Sequence, residues 1–391
     1  MQVRTFPQTD LKGKTVLLRT DFNVPITDGK VSDNTRIRES LPTIKKLIEL
    51  GARVAIVSHL GRPKGKVDMA FTLEPVAEEL ANLLGQVVVF VPESVGEIVK
   101  SAVQNLKDGE VALLENVRFH AEEEANDPSF AKALADGFDM YISDAFGTVH
   151  RAHASTCGVA SFLPSYAGFL LEKEIRVLSS IIENPLHPVC LIVGGAKVDT
   201  KIGILEKFLN IADTFLIGGA LANTFLVAQG FNVGASMYEV DKVQVAKDFL
   251  AKAQGKTVIL PIDVVIAKEV LAGAEVATVG ADSVPVDMKI LDVGANTVAK
   301  FEEEIAKAKT IIWNGPIGLF EIAEFGNGTR LVAEAVSKNT GTTVLGGGDT
   351  IDAVNHFGID PDKFTHVSTG GGAMLEFLEG KELPGVKVLS I

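Results

Sequence analysis

Cysteine is scarce in this chain of 391 residues, and neither Cys157 nor Cys190 has a partner at a spacing typical of zinc sites. So little cysteine is typical of a protein from a reducing compartment. The sequence also has no run of about 18 apolar residues, the length that spans a membrane. Residues 1–14 are polar and charged rather than typical of a secretion signal. We therefore predict a cytoplasmic protein with no membrane partner.

Two common nucleotide-binding motifs are absent as well. The chain has no G-x-x-x-x-G-K-[ST] phosphate loop and no G-x-G-x-x-G dinucleotide fingerprint. A dehydrogenase with a nicotinamide cofactor is therefore disfavoured, and any nucleotide must be held in a different way. The net charge of −13 argues against nucleic acid as a partner, because nucleic-acid binders usually carry a basic balance.

One pattern recurs along the chain: a short apolar, β-branched run, then glycine or polar residues, then a helix-length segment. This alternation predicts βαβ units and parallel sheets that helices cover on both faces. The length predicts two or three domains of about 150 residues. We predict an α/β fold with two doubly wound domains, parallel β-sheets flanked by helices, joined by a hinge helix. The predicted bounds are 1–169 for the N-terminal domain, 170–185 for the interdomain helix and 186–372 for the C-terminal domain.

Ligands of open α/β sheets bind beyond the carboxyl ends of the strands, so the residues that follow each apolar run are of most interest. We expect, for example, a strand at Val189–Val193 that ends at Gly194-Gly195, and a first helix over residues 41–50. The chemistry of these strand ends differs between the two halves of the chain.

Arginine is concentrated in the first half, where eight of the ten arginines lie at or before residue 151. Arg62 and Arg118 come a few residues after apolar runs, and Arg151 follows the run that ends at Ile142. Guanidinium groups suit bidentate binding of phosphate and carboxylate. We therefore predict an anion site at one edge of the first sheet. A solvated or ion-paired surface residue is the alternative for each single arginine.

Three further residues of the first half have two interpretations each. Asp21 and Asn23 can bind a substrate hydroxyl, or they can form an Asx turn before Pro25. His59, beside Gly61 and Arg62, is either a neutral or charged phosphate donor or a structural hydrogen-bonding residue.

The second half has glycines where the first has arginines. Glycines follow five apolar runs, at Gly194-Gly195, Gly218-Gly219, Gly315, Gly346-Gly347-Gly348 and Gly370-Gly371-Gly372. Backbone without a Cβ approaches a base or phosphate closely, and N–H groups at a helix start bind anions. Tight turns between strand and helix are the alternative explanation.

Three charged residues accompany these glycines. Asp349 is either a Mg²⁺ ligand or a helix cap. Lys197 and Lys201 are four residues apart, which predicts one face of a helix. They could follow a moving phosphoryl group as point charges, and two solvated lysines are the alternative.

Taken together, these residues resemble the phosphoglycerate kinases, in order and over essentially the whole chain. The matching stretches include Arg19-Thr20-Asp21-Phe22-Asn23-Val24-Pro25, Ser58-His59-Leu60-Gly61-Arg62-Pro63, Glu115-Asn116-Val117-Arg118-Phe119, Asp144-Ala145-Phe146-Gly147, His150-Arg151, Val193-Gly194-Gly195-Ala196-Lys197-Val198, Trp313-Asn314-Gly315-Pro316, Gly346-Gly347-Gly348-Asp349-Thr350 and Ser368-Thr369-Gly370-Gly371-Gly372-Ala373.

The resemblance implies roles for particular residues. The residues implied to bind phosphoglycerate are Asp21, Asn23, Arg36, His59, Leu60, Gly61, Arg62, Arg118 and Arg151. The residues implied to bind the nucleotide are Gly194, Gly195, Lys197, Lys201, Gly218, Gly219, Asn314, Pro316, Glu321, Gly347, Gly348, Asp349 and Thr350. The implied catalytic residues are Arg36, Lys197, Lys201, Gly371 and Gly372. Asp349 is implied to hold Mg²⁺ with the nucleotide phosphates, and residues 373–391 are implied to return to the N-terminal domain.

The reaction implied by the resemblance is a reversible step of glycolysis and gluconeogenesis. The acyl phosphate of 1,3-bisphosphoglycerate passes to ADP, which gives 3-phosphoglycerate and ATP, with Mg²⁺ as Mg-ATP or Mg-ADP. The enzyme would be a phosphotransferase with a carboxyl group as acceptor, and a monomer whose domains move about the hinge. The alternative is a non-catalytic phosphometabolite-binding module. Asp349 and the two lysines argue against that alternative, since a sensor needs no metal at a second site.

Overall fold

The structure is a computed structural model that describes residues 2–6 and 10–391. The chain forms two compact units, Met1–Val177 with Glu382–Ile391 and Leu178–Lys381. The division falls inside the helix expected over 170–185, and the second unit continues past residue 372 to Lys381.

The first unit is built on a six-stranded parallel sheet in the order β5-β6-β4-β1-β7-β8, and β2 and β3 pair as a short antiparallel ribbon. Its strands are β1 (Thr15–Arg19), β2 (Ile26–Thr27), β3 (Lys30–Val31), β4 (Arg53–Val57), β5 (Val88–Val91), β6 (Val111–Leu114), β7 (Met140–Ser143) and β8 (Ser165–Ala167). Its helices are α1 (Thr35–Glu49), α2 (Glu74–Leu84), α3 (Glu97–Asn105), α4 (Ala121–Glu124), α5 (Pro128–Ala135) and the start of α6 (Phe169–Glu183).

Both faces of this sheet are buried, because successive side chains of a strand point to opposite faces. Leu18 of β1 and Ile56 of β4 belong to one apolar cluster, together with Leu47 of α1. Leu17 and Val57 belong to another cluster, on residues of α3 and α5. Strands buried on both faces consist of nearly continuous apolar residues, and this explains why the sequence shows them as uninterrupted runs.

Helix α1 begins earlier than expected, at Thr35 rather than at residue 41. The expectation was wrong because Pro42 lies inside the helix, where proline removes a backbone hydrogen bond and is disfavoured. Asp33 accepts hydrogen bonds from the backbone N–H and hydroxyl of Thr35, at 2.9 and 2.6 Å, and so supports the earlier start. As a result, Arg36 lies in the first turn of α1.

The second unit has a second six-stranded parallel sheet, in the order β11-β10-β9-β15-β16-β17. The strands of the whole unit are β9 (Val189–Val193), β10 (Thr214–Ile217), β11 (Thr257–Ile259), β12 (Asp263–Ala267), β13 (Val276–Gly280), β14 (Lys289–Val293), β15 (Thr310–Asn314), β16 (Thr342–Gly346) and β17 (His366–Val367). Its helices are α7 (Ile202–Phe208), α8 (Leu221–Ala228), α9 (Val243–Lys252), α10 (Ala295–Lys307), α11 (Asn327–Lys338), α12 (Gly348–His356) and α13 (Gly372–Leu378). The prediction of two α/β doubly wound domains is confirmed.

A three-stranded antiparallel sheet, β13-β12-β14, accompanies the parallel sheet of the second unit and was not predicted. Three of the five residues of β13 are exposed, and the other two are only partly buried. Its sequence, Val276-Ala277-Thr278-Val279, is a short apolar run, but no helix-length segment separates it from β14. The repeating strand–helix pattern therefore did not reveal it.

The last residues of the chain divide between the two units. Helix α13 packs against α7, which keeps residues 373–381 in the second unit. Helix α14 (Pro384–Lys387) belongs to the first unit, where the backbone N–H of Gly385 donates to Val149 O at 2.9 Å. Arg4 donates from its side chain to Val388 O at 2.7 Å. The segment that returns to the first unit therefore begins at Glu382, not at residue 373. Among the described helices, none is both long and apolar enough to cross a membrane.

Candidate functional site

The carboxyl ends of the parallel strands in the first unit carry most of the predicted substrate residues. Strands β1, β4 and β6 lead directly into the segments with Asp21, His59 and Arg118. Arg151 comes after β7 and Arg36 lies on α1. Because the strands are parallel, these segments lie along one edge of the sheet.

Asp21 joins two elements of this edge. Its Oδ2 lies 2.6 Å from Nη1 of Arg36, and its Oδ1 lies 4.0 Å from Nδ1 of His59. The same Oδ1 accepts a hydrogen bond from the backbone N–H of Asn23 at 3.3 Å. The Asx turn considered from the sequence is therefore present, and it leaves the carboxylate free to orient Arg36.

The segment after β4 is held from both sides. The backbone N–H of Gly61 donates to Oδ1 of Asn23 at 2.8 Å, and Nη1 of Arg118 donates to Gly61 O at 2.9 Å. Glycine is required at position 61, because φ is +60° and a Cβ would lie 2.2 Å from the ring of Phe71. Arg62 is exposed beside it, and the Leu60 side chain is buried in the core, so Leu60 can offer only its backbone.

Four arginines of this unit lie near enough to His59 for their charges to act on it, and Arg62 is not one of them. The pKa of His59 is held well below the usual range, first by burial and then by the positive charges of Arg19, Arg118, Arg151 and Arg36. Burial, together with Arg19 and Arg151, lowers the pKa of Arg118 to about 10. Positive charge concentrated around a buried ring in this way is suited to an anionic ligand.

An unused donor points to the same conclusion. Nη2 of Arg118 is buried and has no hydrogen-bond partner among the residues that the structure describes. A buried donor of this kind costs free energy unless a ligand or water satisfies it. The first unit therefore has both the charge and the open hydrogen-bonding capacity of an anion site.

Several residues of this site were missed in the sequence. His150 and His153 lie beside the arginines, and burial first, then Arg151 and Arg118 respectively, lowers the pKa of each to about 4. The run His150-Arg151-Ala152-His153 after β7 was a usable signal for them. Arg19, the last residue of β1, is buried against Ser155, which in turn contacts Glu123. No local pattern marks Glu123 or Ser155.

In the second unit the turns after β9, β10 and β15 pack against one another. The N–H of Gly195 donates to Pro316 O, and the N–H of Gly219 donates to Ile317 O, both at 2.8 Å. A Cβ on Gly194 would lie 2.1 Å from Pro316 O, and one on Gly219 would lie 2.5 Å from Gly195 N. Packing between turns therefore accounts for these glycines, as the alternative explanation proposed.

Gly348 differs from them. A Cβ at this position would meet no atom of the described residues within 4 Å, and its φ is not positive. Gly348 opens α12, so its N–H is one of those that lack a partner within the helix. Neither packing nor backbone conformation requires glycine here, and the open space beside it would allow close approach of a ligand.

Asn314 links the ends of β15 and β16 to Lys201. Its Nδ2 donates to Gly346 O at 2.7 Å, and its Oδ1 accepts a hydrogen bond from Nζ of Lys201. Thr350 fixes the neighbouring turn, since its hydroxyl accepts from Gly315 N at 2.7 Å and donates to Gly346 O at 2.9 Å. Burial lowers the pKa of Lys201, and the negative charges of Asp349 and Glu379 oppose that shift.

Lys197 and Lys201 do not share a helix, contrary to the expectation from their spacing. Helix α7 begins only at Ile202, and Lys197 lies in the exposed turn before it. The side chain of Glu239 accepts a hydrogen bond from Val198 N, and Val198 O accepts from Lys201 N at 2.8 Å. These contacts hold residues 197–201 as a turn, and of the two ammonium groups only that of Lys201 has a hydrogen-bond partner among the described residues.

A cavity of about 480 Å³ opens beside these turns, within the second unit. Five predicted nucleotide residues line it, namely Gly195, Gly219, Pro316, Glu321 and Asp349. Much of the remaining lining is apolar, with Met237, Val270, Ile290, Leu291, Ile317 and Leu319. The size and the mixture of apolar walls with a few polar groups are typical of a site for a small organic ligand.

Asp292 supports one wall of this cavity and was not predicted. Its carboxylate accepts hydrogen bonds from Val293 N and Gly328 N at 2.8 and 2.7 Å. Burial raises its pKa to about 7. A Cβ on Gly318 would lie 2.2 Å from Oδ1 of Asp292, so the turn that leads to Glu321 rests directly on this carboxylate.

The remaining predicted positions lie beyond β17. Gly371 has a φ of +49° and precedes α13, whose first residue is Gly372. Their backbone N–H groups therefore belong to the start of a helix, as the sequence predicted.

Comparisons with known proteins agree with this arrangement. A family model described as phosphoglycerate kinase matches residues 6–381. The phosphoglycerate kinase of Pseudothermotoga lettingae is 52% identical over 394 residues, which cover 100% of this chain and 99% of the relative. The phosphoglycerate kinase of Thermosipho africanus is also 52% identical, and the aligned residues cover 99% of this chain and 97% of that relative.

Solved structures give the same result. The phosphoglycerate kinase from Coxiella burnetii superposes with a TM-score of 0.89 and 43% identity over 99% of each chain. The phosphoglycerate kinase from Pyrococcus horikoshii OT3 superposes with a TM-score of 0.87 and is 35% identical, over 99% of this chain and 98% of its own. With its fold, its strand-end residues and its sequence all in agreement, this chain belongs to the phosphoglycerate kinase family.

Proposed function

We propose that the arginine-rich edge of the first unit, defined by Arg36, Arg118 and Arg151 around His59, binds 3-phosphoglycerate or 1,3-bisphosphoglycerate. The cavity of the second unit binds ATP or ADP. The family's reaction is the reversible transfer of the acyl phosphate of 1,3-bisphosphoglycerate to ADP, a glycolytic step that gives 3-phosphoglycerate and ATP. The enzyme transfers phosphate to a carboxyl group in the opposite direction. Nothing in the comparisons favours the alternative of a non-catalytic binding module.

The observation that carries the first assignment is the positive charge of Arg36, Arg118 and Arg151 around the buried His59, together with the buried, unpaired Nη2 of Arg118. Phosphoglycerate has a negative charge at each end, which calls for donors spread along one surface rather than at a single point. The unpaired Nη2 of Arg118 is available to one end. Asp21 lies beside Arg36 and His59, and Asn23 beside Gly61, and their side-chain oxygens can accept from the substrate hydroxyl.

Arg36 has a distinct role in this proposal. Because Asp21 fixes its guanidinium, Arg36 presents a preorganised positive charge to the transferring group. Lys201, held by Asn314, and Lys197 supply further positive charge from the nucleotide side. The N–H groups of Gly371 and Gly372 add the positive end of a helix start.

The chemistry needs no general base on the protein. The acceptor in the ATP-forming direction is an oxygen of ADP that is already ionised, and phosphoryl transfer passes through a loose transition state. Catalysis then depends on positioning and on stabilisation of charge. The neutral His59 fits this scheme, because it acts as a hydrogen-bonding group and not as a base.

Magnesium would enter the site with the nucleotide, as Mg-ATP or Mg-ADP. One carboxylate together with phosphate oxygens is a usual ligand set for Mg²⁺. Asp349 lines the cavity and lies in the first turn of α12, so its carboxylate fits that requirement. No group of three or more His, Cys, Asp or Glu side chains gathers anywhere in the described parts of the chain, so the phosphates would complete the set. Monomeric state, cytoplasmic location and the hinge role of α6 stay predictions.

The test measures enzymatic turnover of the parent protein, and 3-phosphoglycerate binding by the parent and two arginine variants. We expect the purified chain to convert 3-phosphoglycerate with Mg-ATP in a coupled assay. We expect Arg118→Met to weaken 3-phosphoglycerate binding by calorimetry at least tenfold, since a charge-assisted bond contributes about 1.5–3 kcal/mol. Arg330→Met removes the same charge on α11, in an ion pair with Glu334, and should bind like the parent. Equal affinity in all three proteins would exclude the arginine-rich edge as the site.

A further inference from the structure

We propose that Arg19 fixes the tautomer of His59, so that His59 offers a neutral Nε2–H to the substrate, and that Glu123 and Ser155 are positioning residues that hold Arg19 for this purpose. The inference deepens the proposed function, since it rests on His59 lying in the phosphoglycerate site.

The contact between Arg19 and His59 allows only one arrangement of protons. Nη2 of Arg19 lies 3.2 Å from Nδ1 of His59, and both side chains are buried. A guanidinium has donors only, so Nδ1 must be the acceptor and must carry no proton. The single proton of the neutral ring is then on Nε2. A doubly protonated ring would place two N–H donors against each other.

The charges around His59 favour the same state. Arg19, Arg36, Arg118 and Arg151 all oppose a positive ring, in addition to the effect of burial. Asp21 is the acid that faces it, with Oδ1 4.0 Å from Nδ1. That carboxylate already contacts Arg36, so its charge is largely compensated.

Behind Arg19, a chain of hydrogen bonds runs in one direction. Nε of Arg19 donates to Oγ of Ser155 at 2.8 Å, and Nη1 donates to the carbonyl oxygen of Thr20. Ser155 Oγ, having accepted from Arg19, donates its own proton to Oε1 of Glu123 at 2.6 Å. The backbone N–H of Ser155 donates to Oε2 of Glu123 at 2.8 Å. The chain ends at a carboxylate, which only accepts.

Glu123 therefore provides both direction and charge. It is fully buried on the four-residue helix α4, where burial raises its pKa and the nearby Arg19 opposes that shift. A buried guanidinium needs a compensating charge. With Glu123 in place, Arg19 keeps its fork aimed at His59, although Glu123 itself has no direct contact with the ring in the structure.

The consequence for binding is that the ring recognises an anion without taking up a proton. A histidine that had to be charged would lose affinity as the pH rises through its pKa. A ring locked as a neutral donor keeps the same hydrogen-bonding pattern throughout the neutral range.

The decisive experiment reads the ring directly. We would label the histidines of the full chain with ¹⁵N, without ligand, and assign His59 by the signal lost in His59→Gln. Long-range ¹H–¹⁵N correlation should show a protonated Nε2 and an unprotonated Nδ1 between about pH 5 and 8, the range in which histidines ordinarily titrate. A proton on Nδ1, or a doubly protonated ring near neutral pH, would overturn the proposal. This measurement requires no variant of Arg19, Ser155 or Glu123 to fold.

A second experiment tests the supporting residues. Glu123→Gln keeps the shape but removes the charge, and we expect a mixture of both His59 tautomers and about a tenfold higher KM for 3-phosphoglycerate, which is about 1.4 kcal/mol. The KM for Mg-ATP should not change. Glu122→Gln removes the same charge from the exposed adjacent position of α4 and should match the parent. A folded Glu123→Gln protein with an unchanged His59 tautomer would exclude Glu123 from this role.

The outcomes also separate this inference from the proposed function. If the parent shows the expected tautomer but binds no 3-phosphoglycerate by calorimetry, the site assignment fails and the role of Arg19 stands. If the parent binds 3-phosphoglycerate but Nδ1 carries the proton, the site assignment stands and the role of Arg19 fails.

Discussion

Nη1 of Arg36 lies 2.6 Å from Oδ2 of Asp21, so a residue in the first turn of α1 is fixed by a residue that follows β1. The contact leaves the rest of the guanidinium available to a ligand. Arg38, two residues farther along α1, is exposed and instead donates to Asn34 at 2.8 Å. The two arginines therefore form a matched pair, one in the site and one outside it.

From this pair we predict that Arg36→Ala lowers kcat by roughly 100-fold or more, the usual cost of removing a preorganised charge from a transition state. The KM for Mg-ATP should stay near that of the parent, because Arg36 is assigned to the transferring group. Steady-state kinetics with both substrates checks this, with Arg38→Ala as the control. Equal kcat for Arg36→Ala and Arg38→Ala would show that the role of Arg36 is wrong.

Asp349 should matter for the nucleotide only when metal is present. We predict that Asp349→Asn weakens ADP binding in the presence of Mg²⁺ by roughly tenfold and leaves metal-free ADP binding unchanged or slightly tighter. The reason is that the carboxylate is assigned to the metal and otherwise repels the phosphates. Calorimetry with and without EDTA checks this. A loss of affinity of the same size in both conditions would point to a helix-capping role instead.

The glycines of the second unit should separate into two classes. Gly194→Ala should lower the thermal midpoint, because its Cβ would lie 2.1 Å from Pro316 O. Gly348→Ala should keep the midpoint of the parent, since its Cβ meets no described atom within 4 Å, and should weaken nucleotide binding alone. Differential scanning calorimetry and ADP titration measure the two effects. Normal ADP affinity in Gly348→Ala would show that the phosphates do not approach this backbone.

We predict that the buried carboxyl group of Asp144 makes the stability of the protein depend on pH. Its Oδ1 accepts from Leu170 N and Leu171 N at 2.9 and 3.2 Å, at the start of α6, and burial raises its pKa to about 7. Between its unfolded pKa of about 3.9 and that value, the folded state holds a proton that the unfolded state has released. Stability should therefore fall as pH rises through this window, by at most about 1.4 kcal/mol per pH unit from this group.

The variant that tests this is Asp144→Asn, which keeps the Oδ1 acceptor and cannot ionise. We expect its thermal midpoint to fall less steeply between about pH 5 and 7 than that of the parent. The pKa of Asp292 is also raised to about 7, so Asp292 should make the thermal midpoint fall with pH to the same extent in both proteins. Identical slopes for the parent and Asp144→Asn would mean that Asp144 is ionised throughout this range.

The strands of the parallel sheets could be predicted closely because burial on both faces leaves a direct mark on composition. Strand β9 has the predicted bounds, Val189–Val193. The start of α1 could not be predicted, because Pro42 is normally a helix boundary and the contacts of Asp33 become visible only in the folded chain. Strand β13 has an apolar run but no helix before β14, so it falls outside the βαβ pattern from which the other strands were predicted.

For the candidate site, the limit of prediction lies between the groups that face the ligand and those that support them. Arg118 and Asp349 follow apolar runs, and the geometry of parallel strands indicates where such residues meet. Glu123 and Ser155 are 32 residues apart, and neither follows a strand. Their pairing depends on tertiary packing alone, which periodicity does not encode.

The pairing of the two ends of the chain sets an order on biosynthesis. Val3 pairs with Ser390, and Gly385 packs on Val149, two residues before Arg151. A ribosome must therefore translate residue 385 before the segment that precedes Arg151 gains its contact with Gly385. A nascent chain stalled before Glu382 would leave this surface uncovered, however well the rest of the first unit had folded.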